Sequence, residues 1–130
     1  MNMQTIKNIS NEVYSILGPG HPEVIYHRAM EHEFQLRGVL FESEGIVPVK
    51  YKNHAVGHFR YDMLVNKKIL LECKSSDRVP FKDTDAEVIQ LQKYLNIMSS
   101  SENDLVGMLI NFPKSHKNIN ECVFRVLPDT

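Results

Sequence analysis

The stretch Glu72-Cys73-Lys74 sets a carboxylate and an ammonium on either side of one small residue. On a strand alternate side chains share a face, so Glu72 and Lys74 stand together while Cys73 turns the other way. That pair can hold a divalent cation and set a water beside it, although the same triplet on a solvated strand is simply two surface charges. Asp62 interrupts the apolar, aromatic run Phe59-Arg60-Tyr61-Asp62-Met63-Leu64-Val65. A charge in such a run is costly unless it is paired or bound to a cation; an ion pair with Arg60 or Lys74 is the competing reading. Glu23 follows Pro22 at a helix start, where the dipole favours an anion with or without a catalytic role.

These residues must be positioned by the elements around them. Ile6, Ile9, Val13, Ile16 and Leu17 fall at helical spacing and predict a helix over residues 4–17, stopped by Gly18-Pro19-Gly20. A second helix is predicted from about Pro22 to Arg37, with Ile25, Ala29 and Leu36 on its apolar face and Tyr26 and Met30 beside it. Three antiparallel strands are then expected. One carries Val47, Val49 and Tyr51, with a turn at Asn53-His54. One runs from Phe59 to Val65, with Phe59, Tyr61, Met63 and Val65 on one face and Arg60, Asp62 and Leu64 on the other. The third is Ile69–Lys74. Thr84 and Glu87 match a capping box for a helix over 85–98, whose buried stripe is Val88, Leu91, Leu95 and Met98. Ser99–Asn103 reads as a connecting loop. Leu105–Phe112 is nearly all apolar and so a central strand, and Cys122–Leu127 is the last. The pattern is an α/β (α+β) mixed sheet flanked by helices.

A length of 130 residues suits one domain, and 42% hydrophobic with 24% charged residues is an ordinary soluble composition. The net charge of −1 says nothing for or against a nucleic-acid partner. Two cysteines, Cys73 and Cys122, stand far apart, so neither a zinc site of usual spacing nor a redox pair is expected. The absence of a long apolar run or a leader-like start leads to the expectation of an intracellular, cytoplasmic protein with no membrane partner.

Taken in order, Gly20-His21-Pro22-Glu23-Val24-Ile25-Tyr26, Asp62, Glu72-x-Lys74 and Gln90-x-x-x-Tyr94 resemble the GxxExxY group of the PD-(D/E)XK nuclease superfamily. The Gln-x-x-x-Tyr also resembles the RecB-like nuclease branch, and the likeness runs from about Val13 to Phe112. It implies a restriction-endonuclease-like core of helix, three-stranded meander, helix and strand. It also implies a metal-dependent nuclease acting on nucleic acid, DNA ahead of RNA. By the resemblance Glu23, Asp62 and Glu72, with the Cys73 carbonyl, hold one or two Mg²⁺ or Mn²⁺ ions, and Lys74 positions the attacking water. Tyr61 stands before the Asp where the family motif has Pro. Hard oxygen ligands without a His/Cys cage suit magnesium or manganese better than zinc.

Gln90 and Tyr94 lie one helical turn apart. Gln90 is expected to assist catalysis by bonding Lys74, a metal water or a phosphate, with Tyr94, His27 and Tyr26 as substrate contacts; the plainer reading leaves Gln90 solvated and Tyr94 at the core's rim. His27 is at i+4 from Glu23, close enough to join the cluster, or is solvated like His21, His32, His54, His58 and His116. The rival functions are a catalytically silent nuclease fold binding nucleic acid or a protein, and a structural protein whose charged face is an ion-pair network. A homodimer is a further expectation, since small nuclease domains often need a second module to grip DNA.

Overall fold

In the first segment the apolar residues recur every three or four positions and wind into α1 (Met3–Leu17). Asn2 caps it, its side chain accepting from the Thr5 amide at 2.8 Å. The computed structural model describes residues 2–77, 81–99, 104–115 and 121–128; His116 and most of the Ser99–Asn103 loop lie outside them. Gly18 ends α1 with φ +76°, a conformation that favours glycine.

The helix α2 (Glu23–Leu36) buries Tyr26, His27, Met30 and Phe34. The buried stripe is therefore this largely aromatic line rather than Ile25 and Leu36, which are exposed. The reason is tertiary: Tyr26 stacks on Phe112, with ring centroids 4.4 Å apart and planes at 4°.

Among the described residues seven strands follow: β1 (Phe41–Ser43), β2 (Ile46–Tyr51), β3 (His54–Arg60), β4 (Met63–Val65), β5 (Ile69–Lys74), β6 (Val106–Asn111) and β7 (Val123–Leu127), with α3 (Ala86–Met98) between β5 and β6. The main sheet has the order β1-β4-β5-β6-β7, and β2-β3 forms a separate hairpin. Among the described strands only β5 and β6 pair in parallel, joined by the α3 crossover. The meander is thus β1-β4-β5, and the hairpin is an excursion between its first two strands.

Several expectations are corrected here. The run from Phe59 to Val65 is not one strand. The Tyr61 N–H donates to Gly45 O at 3.0 Å and the Glu44 N–H to Asp62 O at 2.8 Å, which closes the neck of the hairpin. The Tyr61 ring lies so close over Gly45 that no Cβ fits there. Tyr61 and Phe59 consequently pack on the α3 side, while Met63 and Val65 pack on the α1/α2 side. The hairpin turn falls on Lys52-Asn53, with φ +50° and +65°, a pair of left-handed residues that matches strand twist. Asp85, not Thr84, precedes α3 as its cap, and the Asp85 carboxylate accepts from the Lys82 amide at 2.9 Å, so the capping box is not formed.

The sheet carries a core on each face. Ile6, Ile9, Tyr26, Met30 and Phe34 cover Met63, Leu71, Met108 and Phe112. Leu91, Tyr94 and Leu95 cover Leu64, Leu70 and Leu109 on the other side. Strands buried on both faces read as continuous apolar runs, as β5 and β6 do. Each fully buried Leu or Phe contributes about 2 kcal/mol. Gly107 lets α3 approach β6 closely, since a Cβ there would come 2.9 Å from Leu91. Among the described residues no helix is long and apolar enough to cross a membrane.

Candidate active site

The β4–β5 ladder ends at Met63↔Leu71, and carboxylates take the next two amides. The Cys73 N–H donates to Asp62 Oδ2 at 2.8 Å, and the Asp62 N–H donates to Glu72 Oε1 at 3.3 Å. Glu72 is thereby clasped by the amide just before β4 and Asp62 by an amide of β5, and among the described residues the clasp uses no cationic side chain. Asp62 Oδ1 and Glu72 Oε2 are left outside this clasp.

Glu72 is 6% exposed. Burial first, and the charge of Asp62 second, push its carboxyl up to about 8, against the bond from the Asp62 amide and the attraction of Lys74. The two carboxyl groups are near enough to share a proton. A buried acid beside a half-buried one calls for a proton or a cation between them, and the oxygen-only donor set fits a hard divalent ion.

Glu23 is the first residue of α2 and exposed. Its Oε1 accepts from the Ser75 amide across a long 3.4 Å, so it reaches the end of β5 from the opposite layer. The Cys73 thiol, inside the helix-side core, is pushed well above its ordinary value by complete burial and then by Asp62, Glu72, Cys122 and Glu23. All three acids therefore surround the same stretch of β5. The close group is nonetheless a pair: among the described residues no set of three or more His, Cys, Asp or Glu side chains is gathered to hold a metal ion. Lys74 is half-buried on the Glu72 side, near enough to act electrostatically on both Glu72 and Tyr94.

Tyr94 is buried under Phe59, with centroids 5.3 Å apart. Its hydroxyl receives a 2.6 Å bond from the exposed Gln90. Burial raises the Tyr94 pKa, with Glu72 and Asp62 adding to that rise while Gln90 and Lys74 oppose it. Tyr94 is thus a wall of the site rather than an exposed contact.

Tyr26 is fully buried, with no surface to offer a substrate in this structure. Its hydroxyl donates to Gly18 O at 2.7 Å and accepts from the His21 N–H at 3.3 Å. The Tyr of the Gly20-x-x-Glu23-x-x-Tyr26 string thereby pins the loop that delivers Glu23. His27 is also buried, not solvated, and turns away from Glu23, with Nε2 3.1 Å from Glu31 Oε2. Glu31 in turn meets Ser43 and Arg28, the latter at 2.9 Å. His21 is half-buried with Nε2 2.9 Å from Leu17 O, and His32, His54 and His58 are exposed as expected.

One supporting residue has a role that its place in the sequence does not assign. Asn111, opposite Lys74 in β6, is fully buried and donates to Ser76 O at 2.7 Å, holding the chain as it leaves β5. A polar residue ending an apolar strand was the available signal.

No curated protein and no solved structure matches the chain. The PD-(D/E)XK nuclease superfamily matches it over residues 2–123, a span that contains α1, α2, the clasped acids just before β4 and on β5, α3 and β6. On that match, and with a mixed α/β fold of the restriction-endonuclease-like kind, the chain belongs to the PD-(D/E)XK nuclease superfamily.

Proposed function

We propose that the chain is a divalent-metal-dependent nuclease of the GxxExxY group that hydrolyses phosphodiester bonds, with DNA as its substrate ahead of RNA. The carrying observation is the clasped pair Asp62–Glu72: two carboxylates fixed by backbone amides, one of them buried, its carboxyl pushed up to about 8 by that burial and by the other's charge. Asp62, Glu72 and the Cys73 carbonyl would hold Mg²⁺ or Mn²⁺, with Glu23 joining through its exposed carboxylate. When bound, the ion supplies Lewis acidity toward the phosphate and acidifies water.

The chain's own groups do the rest. Lys74 orients the attacking water and offsets charge that develops on the phosphate oxygens. Gln90 and Tyr94 fix the wall against which Glu72 and Lys74 stand, with Gln90 exposed toward a substrate. Tyr26 sets the position of Glu23 through the Gly18 loop.

The test is incubation of the purified protein with duplex DNA in Mn²⁺, Mg²⁺ or EDTA. Cleavage is expected with either cation and none in EDTA. Cleavage that survives EDTA, or none with any cation, contradicts the reading; in the second case a binding role for the fold takes its place.

A further inference from the structure

From Gly45 to Tyr61 the sequence holds no Asp or Glu, although the chain carries 16 acidic residues, and the same stretch holds Lys50, Lys52 and Arg60. That acid-free stretch is the β2–β3 hairpin and its neck. At its base Val47 and Phe59, a cross-strand pair, pack toward α3. Farther out, every residue from Lys50 to His58 is exposed, including Tyr51 at 63% and Val56 at 60%. A two-stranded ribbon is marginal by itself, and one exposed on both faces gains little from its own packing. Its charge and exposure suit an anionic partner.

The register organises those cations. Cross-strand partners share a face, so Ile46↔Arg60 and Pro48↔His58 set Arg60 and His58 in one row; the register then shifts between Val49 and Lys50, and Lys50, paired with Ala55, lies beyond that irregularity. Lys52 sits at the tip, its Nζ 5.4 Å from the Tyr51 ring centroid. The strands span about 20 Å at the usual rise per residue. At the base of the arm only Tyr61 separates Arg60 from Asp62, so the ribbon springs from beside the acid pair.

We propose that the β2–β3 hairpin is a duplex-DNA-gripping arm, in which Lys50, Lys52 and Arg60 meet backbone phosphates and the ribbon lies in the major groove. This rests on the nuclease reading and adds the form of nucleic acid. The B-form major groove, about 12 Å wide, admits a two-stranded ribbon, whereas the major groove of A-form RNA is too narrow.

The test is fluorescence anisotropy in EDTA, with labelled DNA and RNA duplexes of one sequence, on wild type and on the triple variant Lys50→Ala/Lys52→Ala/Arg60→Ala. All three side chains are exposed, and a melting curve checks that the variant folds. Wild type should prefer the DNA duplex. The triple variant should bind it at least ~30-fold more weakly, with a log–log salt slope shallower by about 3. Lys50→Arg/Lys52→Arg should bind like wild type. Equal affinity and slope in wild type and triple variant, equal binding to both duplexes, or no binding by wild type overturns the arm. If the arm result holds but no cation supports cleavage, the nuclease reading fails alone; if wild type cuts and the triple variant binds and cuts as well, the arm fails alone.

Discussion

Lys74→Ala is expected to cut DNA at least ~100-fold more slowly than wild type while still binding Mn²⁺ and still folding. The size follows from losing a positioned group that acts in the transition state. The clasp does not depend on this side chain, because Asp62 and Glu72 are held by the Cys73 and Asp62 amides. The Lys74 charge opposes the upward push on the Glu72 carboxyl, so its removal also frees the pair of a competing cation. Metal affinity should therefore persist or rise slightly. DNA affinity should weaken only modestly, as expected for one phosphate contact among several. Calorimetry with Mn²⁺ alongside single-turnover cleavage separates these effects. A variant that cuts as fast as wild type removes Lys74 from the chemistry, and one that no longer binds Mn²⁺ makes it part of the metal site.

The second large effect is a pH dependence centred on Glu72. Its folded carboxyl is held up to about 8 against an ordinary value of 4.5. Between those values the folded chain keeps a proton that the unfolded chain has released, so this group's stabilisation is full below the ordinary value and lost as pH rises through about 8. Metal-free wild type should lose about 5 °C or more of melting temperature across that window relative to Glu72→Gln, which has no carboxyl to ionise. Mn²⁺ must displace the same proton, so wild-type affinity should climb about tenfold per pH unit and level off near 8. Parallel melting curves for the two proteins, or a pH-independent affinity, would show that Glu72 is not the titrating group.

Some of this architecture was legible because local pattern and tertiary burial agree. α1 and α3 carry strong helical spacing, and β5 and β6 are continuous apolar runs because they are buried on both faces. The acids were legible by type, since Glu72 is a charge inside a buried strand and Asp62 a charge directly before one. Long-range contacts hid the rest. β1 is three residues long and exists by pairing with β4. The break at Tyr61-Asp62 is invisible in an alternating run, because it is made by Gly45 and Glu44 across the hairpin neck. Tyr26 and His27 read as candidate contacts in the sequence, but Phe112 and Glu31 take their side chains. The acid-free composition of the hairpin lies wholly in the sequence, whereas its exposure on both faces is a tertiary property.

The Asp62–Glu72 pair is the proposed seat of the ion, and a melting-temperature titration with Mn²⁺ on wild type and Asp62→Asn separates it from any other seat. The asparagine can keep the bond from the Cys73 amide through its side-chain oxygen and removes only the charge. Saturating Mn²⁺ should raise the wild-type melting temperature by about 5 °C or more, while Asp62→Asn, folded normally, should show little or no rise. An equal rise in both proteins would mean that the ion binds elsewhere, and the proposed active site would be wrong.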